Sequence, residues 1–101
     1  MFVVHNRIDA PAEVAPAFEA AFVQSMRTTL AGVPGLVRST LMKPAGEGQP
    51  YISTMEFDTP ESFRAWMGSD SFRAAHANAA APGMRAPSAI ETYTIVEDVR
   101  A

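Results

Sequence analysis

Cysteine is absent from the 101-residue chain, which removes disulfide scaffolds, thiol catalysis and the common zinc frameworks. Histidine is nearly absent: His5 and His76 are the only two, so any metal site has few protein ligands to draw on. Charge is sparse at 19% of residues, and 8 basic against 11 acidic side chains leave a net charge of −3. Duplex nucleic acid and anionic membrane both demand clustered basic surface, and the basic residues here are scattered, so no nucleic acid and no membrane partner is expected. No stretch approaches ~18 consecutive apolar residues, and no basic region precedes an apolar run at the N-terminus. We expect a soluble cytoplasmic protein. With 48% hydrophobic residues the chain can close one ordinary domain over residues 1–101. Surface scaling gives such a fold about 5,500 Å² of exposed area.

Residues Phe2 to Ile8 alternate, with Phe2, Val4, Asn6 and Ile8 on one face and Val3, His5 and Arg7 on the other. This predicts a strand with one polar residue on its apolar side. Pro16 suits a first helical turn, and Phe18, Ala21, Phe22, Met26 and Leu30 recur at helical spacing, so a helix is expected from about Ala15 to Thr29. Gly32, Pro34 and Gly35 stop it. Leu36 to Met42 and Tyr51 to Phe57 read as a hairpin joined by the turn-rich segment 43–50. Thr59-Pro60-Glu61 has the order of a helix cap, a preset first residue and a dipole-matching acid, and Phe63, Trp66 and Met67 form the expected buried stripe. Gly68 interrupts this helix, and Ser69-Asp70 recaps another with Phe72, Ala75, His76 and Ala79 on its apolar face. A loop from Ala80 to Ala89 then leads to a last strand, Ile90 to Val96.

The order β-α-β-β-α-β is that of the α+β, ferredoxin-like split βαβ sandwich, with helices on one face of an antiparallel sheet. Strict alternation puts apolar residues on the second face too: Val37 and Leu41 oppose Leu36 and Met42, and Tyr93 and Ile95 oppose Ile90 and Val96. A homodimer packed sheet on sheet would cover it.

Three groups are expected to point inward: Asn6, Trp66 and His76. His76 reads as a core histidine satisfied by backbone or water, or as a single axial ligand. One imidazole cannot hold zinc or non-haem iron, but it suffices for haem, whose macrocycle already supplies four nitrogens. Asn6 reads as a strand amide bonded to neighbouring backbone, or as a donor to a bound oxygen species. Trp66 and Phe22 read as core aromatics, or as walls against a planar ligand. Ser69, Asp70 and Ser71 near His76 are better explained as helix capping than as a hydrolase triad. Gly46-Glu47-Gly48 lies between strands and lacks the following helix of a phosphate loop.

With these residues placed, the sequence resembles the IsdG-type haem-degrading monooxygenases of the antibiotic-biosynthesis-monooxygenase superfamily. The similarity spans nearly the whole chain. It is carried by Val4-His5-Asn6-Arg7-Ile8, by Phe18 and Phe22, by Val33-Pro34-Gly35-Leu36, and above all by the run from Ser62 to Ala77 containing Trp66 and His76. The resemblance implies a ferredoxin-like dimer closing an α+β barrel, with one haem pocket per subunit. It further implies His76 as proximal iron ligand, Asn6 as distal hydrogen-bond donor and Trp66 as the residue that crowds and distorts the porphyrin, while Phe22, better read as core, is the further residue expected to touch the cofactor. Haem would be both substrate and oxygen-activating cofactor, with electrons from a reductase or small reductant, and the ring would be cleaved with release of iron. Phe57 stands where many relatives have tryptophan, and Arg73 and Arg85 take no assigned role. Two other functions fit a sequence of this type: cofactor-independent oxygenation of a polycyclic aromatic metabolite, and haem carriage or sensing without turnover.

Overall fold

The computed structural model describes residues 1–78 and 89–101, with the backbone only at 76–78 and 89. Four strands and three helices follow one another as β1 (Phe2–Ile8), α1 (Ala15–Thr29), β2 (Leu36–Met42), β3 (Tyr51–Phe57), α2 (Pro60–Met67), α3 (Asp70–Asn78) and β4 (Ala89–Thr94). The strands form one antiparallel sheet in the order β2-β3-β1-β4, the ferredoxin-like α+β arrangement. No helix among the described residues is long and apolar enough to cross a membrane.

Local chemistry sets most of the boundaries. Thr59 caps α2 by accepting from the Ser62 backbone N–H at 3.2 Å, and Pro60 fills the first turn. Ser69 repeats the device for α3, accepting from the Phe72 N–H at 3.2 Å. Between the two, Gly68 ends α2 with its N–H on Ala65 and Trp66 carbonyls. Met67 departs from the expected stripe. Rotated a further 100° or so round the helix from Trp66, it is exposed, while Phe63 and Trp66 are buried.

Register decides which side chains meet. Phe2, Val4, Asn6 and Ile8 lie opposite Phe57, Met55, Ser53 and Tyr51 of β3, and these eight share the helix-covered face. The alternation expected for β2 is broken: pairing slips between Leu36 and Arg38, where Val37 bulges out. Leu36 and Leu41 consequently fall on the same side, each packed against the core, rather than on opposite faces. The expected strand to Val96 also stops short at Thr94. Its partner β1 begins at Phe2, opposite Thr94, so only the Ile95 N–H reaches one residue further, to the Met1 carbonyl.

On the outer face Arg7 pairs with Glu91 at 2.8 Å, Arg38 pairs with Glu56 at 2.6 Å, and the His5 and Tyr93 rings meet edge to face at 5.4 Å. This face is therefore mixed rather than apolar. The chain exposes 6675 Å², more than the ~5,500 Å² expected for its mass, and in the segment after β4 Val96 and Val99 are almost fully exposed.

The chain between α1 and β2 turns on Gly35, whose φ of +79° is the left-handed region. A Cβ there would lie 2.3 Å from Ser62 Oγ and 2.6 Å from Asp58 Oδ1. Those two atoms are themselves bonded at 2.6 Å, which holds the Asp58 carboxyl below the usual carboxylate range. Gly32 has a similar φ of +76° but open space around it. Gly32→Ala should cost only the strain of a left-handed backbone, about 1 kcal/mol, and Gly35→Ala at least about twice that. Urea unfolding of the two variants checks this, and equal losses would show that the Asp58–Ser62 corner yields freely.

Candidate functional site

The helix-covered face holds two apolar clusters rather than one. The larger joins Val4, Met55, Phe57, Phe63 and Trp66, with Phe2, Leu36, Phe72 and Ala75 packed around them. The smaller joins Ile8, Phe18 and Tyr51, with Phe22 and Leu41 against it. On β1 the first cluster reaches Val4 and the second starts at Ile8. Asn6 lies between, opposite Ser53 of β3 and Ile90 of β4. Ser53 is buried, and Ile90, although on the helix side, is 56% exposed.

The Asn6 side chain is half-buried, and its Oδ1 is cut off from solvent without a hydrogen-bond partner among the described residues. Leaving a buried amide oxygen unsatisfied costs about 1–3 kcal/mol, and Ser39 Oγ and Thr54 Oγ1 elsewhere in the sheet share that condition. The two ends of a carboxamide are nearly the same shape. A half-turn about its last torsion would present the NH₂ group at the same place.

Trp66 is 8% exposed and wedged among rings, with centroids 6.1 Å from Phe57, 6.3 Å from Phe63 and 5.0 Å from Phe72. Its indole Nε1 donates to Ser71 Oγ at 3.0 Å, and Ser71 in turn donates to the Thr29 carbonyl at the end of α1. This chain of two bonds ties α2, α3 and α1 together. Ser69 caps and Asp70 pairs with Arg73, so the serine-rich helix start is capping and bracing, as its sequence position indicated.

Phe22 is half-buried, 5.5 Å from Phe18, in the second cluster. The helix carrying it is fixed over the sheet by the Tyr51 hydroxyl, which donates to the Glu19 carboxylate. That bond pushes the Tyr51 pKa up to about 12, with burial adding to it. Lys43 stands 3.7 Å from the same carboxylate. Asn6 thus sits between the cluster of Trp66 and the cluster of Phe22. Position 76 belongs to α3 one turn after Phe72, and its side chain lies outside the described residues. The loop expected from Ala80, with Arg85, also lies outside them, apart from Ala89, which opens β4.

Ser53 escaped the sequence reading, and Ser71 entered it only as part of a helix cap, whereas it bonds the Trp66 indole and the Thr29 carbonyl. Ser53 shares its face with Tyr51, Met55 and Phe57, and the same alternation that singled out Asn6 also marks it. Ser71 had no such signal, because its acceptor is 42 residues away. Among the described residues no group of three or more His, Cys, Asp or Glu side chains could hold a metal ion.

The ferredoxin-like sheet thus places a half-buried amide between two aromatic-bearing clusters. The chain belongs to the antibiotic biosynthesis monooxygenase family, whose model matches residues 1–78. Among functionally curated proteins none matches the sequence. Among solved structures, a point variant of MhuD with two manganese protoporphyrin IX molecules per active site is 26% identical, with all of both chains covered and a TM-score of 0.84. The haem degrader MhuD of Mycobacterium tuberculosis, with two haems in its active site, is 25% identical over 99% of this chain and 100% of its own, with a TM-score of 0.81. An antibiotic biosynthesis monooxygenase candidate from Caulobacter crescentus is 24% identical over 95% of this chain and 90% of its own, with a TM-score of 0.78, a likeness of fold alone.

Proposed function

We propose that this protein is a haem-degrading monooxygenase that cleaves the porphyrin oxidatively and releases iron. The observation that carries the reading is the orphaned Asn6 amide oxygen in the seam between two apolar clusters. A flat, mainly apolar ligand with a polar centre fits such a seam: its faces and rim meet aromatic side chains while its centre meets the amide. The full-length likeness to MhuD supports the same choice of ligand.

When bound, haem supplies the iron that activates O₂ and the ring carbon that is oxidised, with electrons from a reductase or a small reductant. The protein's part is binding and orientation. His76, carried on α3, holds the iron through one imidazole nitrogen. Asn6 offers a neutral hydrogen-bonding group from the sheet side without the desolvation cost of a charge. Phe22 on α1 and the Trp66 indole on α2 bound the ring plane and exclude water from it. A sheet-to-sheet homodimer completes the outer face, where Tyr93 and Met42 are exposed.

Haemin titration followed by reductant tests the reading. The parent protein should develop a Soret band saturating at about one haemin per chain, and His76→Ala should shift or lose it. Ascorbate and O₂ should then bleach the band and deliver iron to a chelator. Binding without bleaching under several reductants would favour a carrier or sensor. No Soret band at all would favour a cofactor-free oxygenase of aromatic metabolites.

A further inference from the structure

We infer that Ser71 is a positioning residue of the proposed site: its one hydroxyl selects the orientation of the Trp66 indole and, through the same oxygen, seats the helix that carries position 76. Its functional part rests on the haem reading above, and its structural part on hydrogen-bond geometry alone.

Hydrogen-bond chemistry leaves one way to join these groups. An indole N–H can only donate and a backbone carbonyl can only accept, so whatever stands between them must accept with a lone pair and donate a proton. Ser71 does both, its Oγ accepting from Trp66 Nε1 at 3.0 Å and donating to the Thr29 carbonyl. Thr29 is the last residue of α1, where no further turn of the helix supplies a donor. Nor does α3 need this hydroxyl for its own start, because Ser69 already accepts from the Phe72 N–H.

Ring packing holds Trp66 without orienting it. Phe57, Phe63 and Phe72 are hydrocarbon rings, and their dispersion and edge-to-face attraction do not distinguish which edge of the indole bears the nitrogen. The torsion about Cβ–Cγ is broad and roughly two-fold, so a half-turn is the competing state. That half-turn carries Nε1 away from Ser71 and leaves a buried N–H to find another acceptor. The Ser71 bond therefore selects one state of two, and in the proposed site the choice decides which edge of the indole meets the porphyrin.

The same oxygen reaches all three helices that supply the proposed site. Phe22 lies on α1, Trp66 on α2, and position 76 on α3, five residues beyond Ser71. Against the larger cluster α3 packs Phe72 and Ala75, an apolar contact that resists lifting but has no preferred direction for sliding or rolling. Directional bonds at Ser71 supply that constraint. Loss of the hydroxyl thus loosens the indole and α3 together.

Threonine and valine at position 71 isolate the hydroxyl, since the two side chains share their shape and β-branching. Trp66 is the only tryptophan, so its indole N–H gives a single NMR cross-peak. Without haemin, this N–H should exchange with solvent about five- to tenfold faster in Ser71→Val than in the parent protein, with Ser71→Thr close to the parent. With haemin, all three proteins should saturate at about one per chain. On addition of ascorbate, Ser71→Val should degrade the haem about tenfold more slowly, while Ser71→Thr keeps the parent rate. Equal exchange in the two variants would overturn the inference at its structural root. Faster exchange in Ser71→Val with an unchanged degradation rate would overturn the positioning role and leave a bond that serves the fold alone. A parent protein with no Soret band would overturn the haem reading instead, and the exchange rates would still decide whether Ser71 orients the indole. If Ser71→Val does not fold, Ser71→Ala takes its place in the same comparison.

Discussion

Asn6→Ala should bind haemin with an unaltered Soret band and degrade it about a hundredfold more slowly than the parent protein, the usual consequence of deleting one preorganised polar contact. Affinity should hold because His76 is untouched. The same substitution carries a stability signature. The Asn6 Oδ1 is buried without a partner among the described residues, so alanine removes an unsatisfied group instead of breaking a bond, and the haem-free variant should melt at or above the parent temperature. A strand amide serving the fold would behave in the opposite way, lowering the melting temperature and leaving turnover intact. Full-rate degradation by Asn6→Ala would remove this residue from the site.

Trp66→Ala should lose about 3–5 kcal/mol of stability in urea unfolding of the haem-free protein, at the upper end of single core truncations. Three ring contacts disappear together, and Ser71 loses the indole donor while still reaching the Thr29 carbonyl. Ring packing outweighs the hydrogen bond here. Trp66→Phe should therefore keep most of the stability and forfeit mainly the Nε1–Ser71 bond, about 1 kcal/mol. That milder variant also exposes any role against the porphyrin. Loss of degradation rate at unchanged haem affinity would show the indole pressing on the ring, and unchanged rate would leave Trp66 as core alone.

The difference between what was legible in the sequence and what was not follows the range of the forces involved. The limits of β1, α1 and β3, and the Thr59 and Ser69 caps, depend on residues within a few positions of one another, and alternation or spacing displays them directly. The inward aim of Asn6 was legible for the same reason. The bulge at Val37 was not, since an extra residue in one strand is visible only against its partner, and it reversed the facing of everything after it in β2. The end of β4 depends on where β1 begins, some ninety residues earlier, and the Ser71 link depends on the last turn of α1. The division of the core into two clusters is likewise a property of the assembled sheet. It arises because Asn6 and Ser53, on separate strands, come into one row.

That row has a thermodynamic consequence. A β-sheet covered by helices ordinarily closes its interior with its own side chains, and here the closure is interrupted in the middle of the face that matters most for cohesion. Whatever fills the seam becomes part of the folded state and is lost on unfolding, so its free concentration enters the folding equilibrium as RT ln(1 + [L]/Kd). If the ligand is haem, as proposed above, the melting temperature should rise with the logarithm of free haemin once it exceeds Kd, and thermal unfolding across a haemin series checks this.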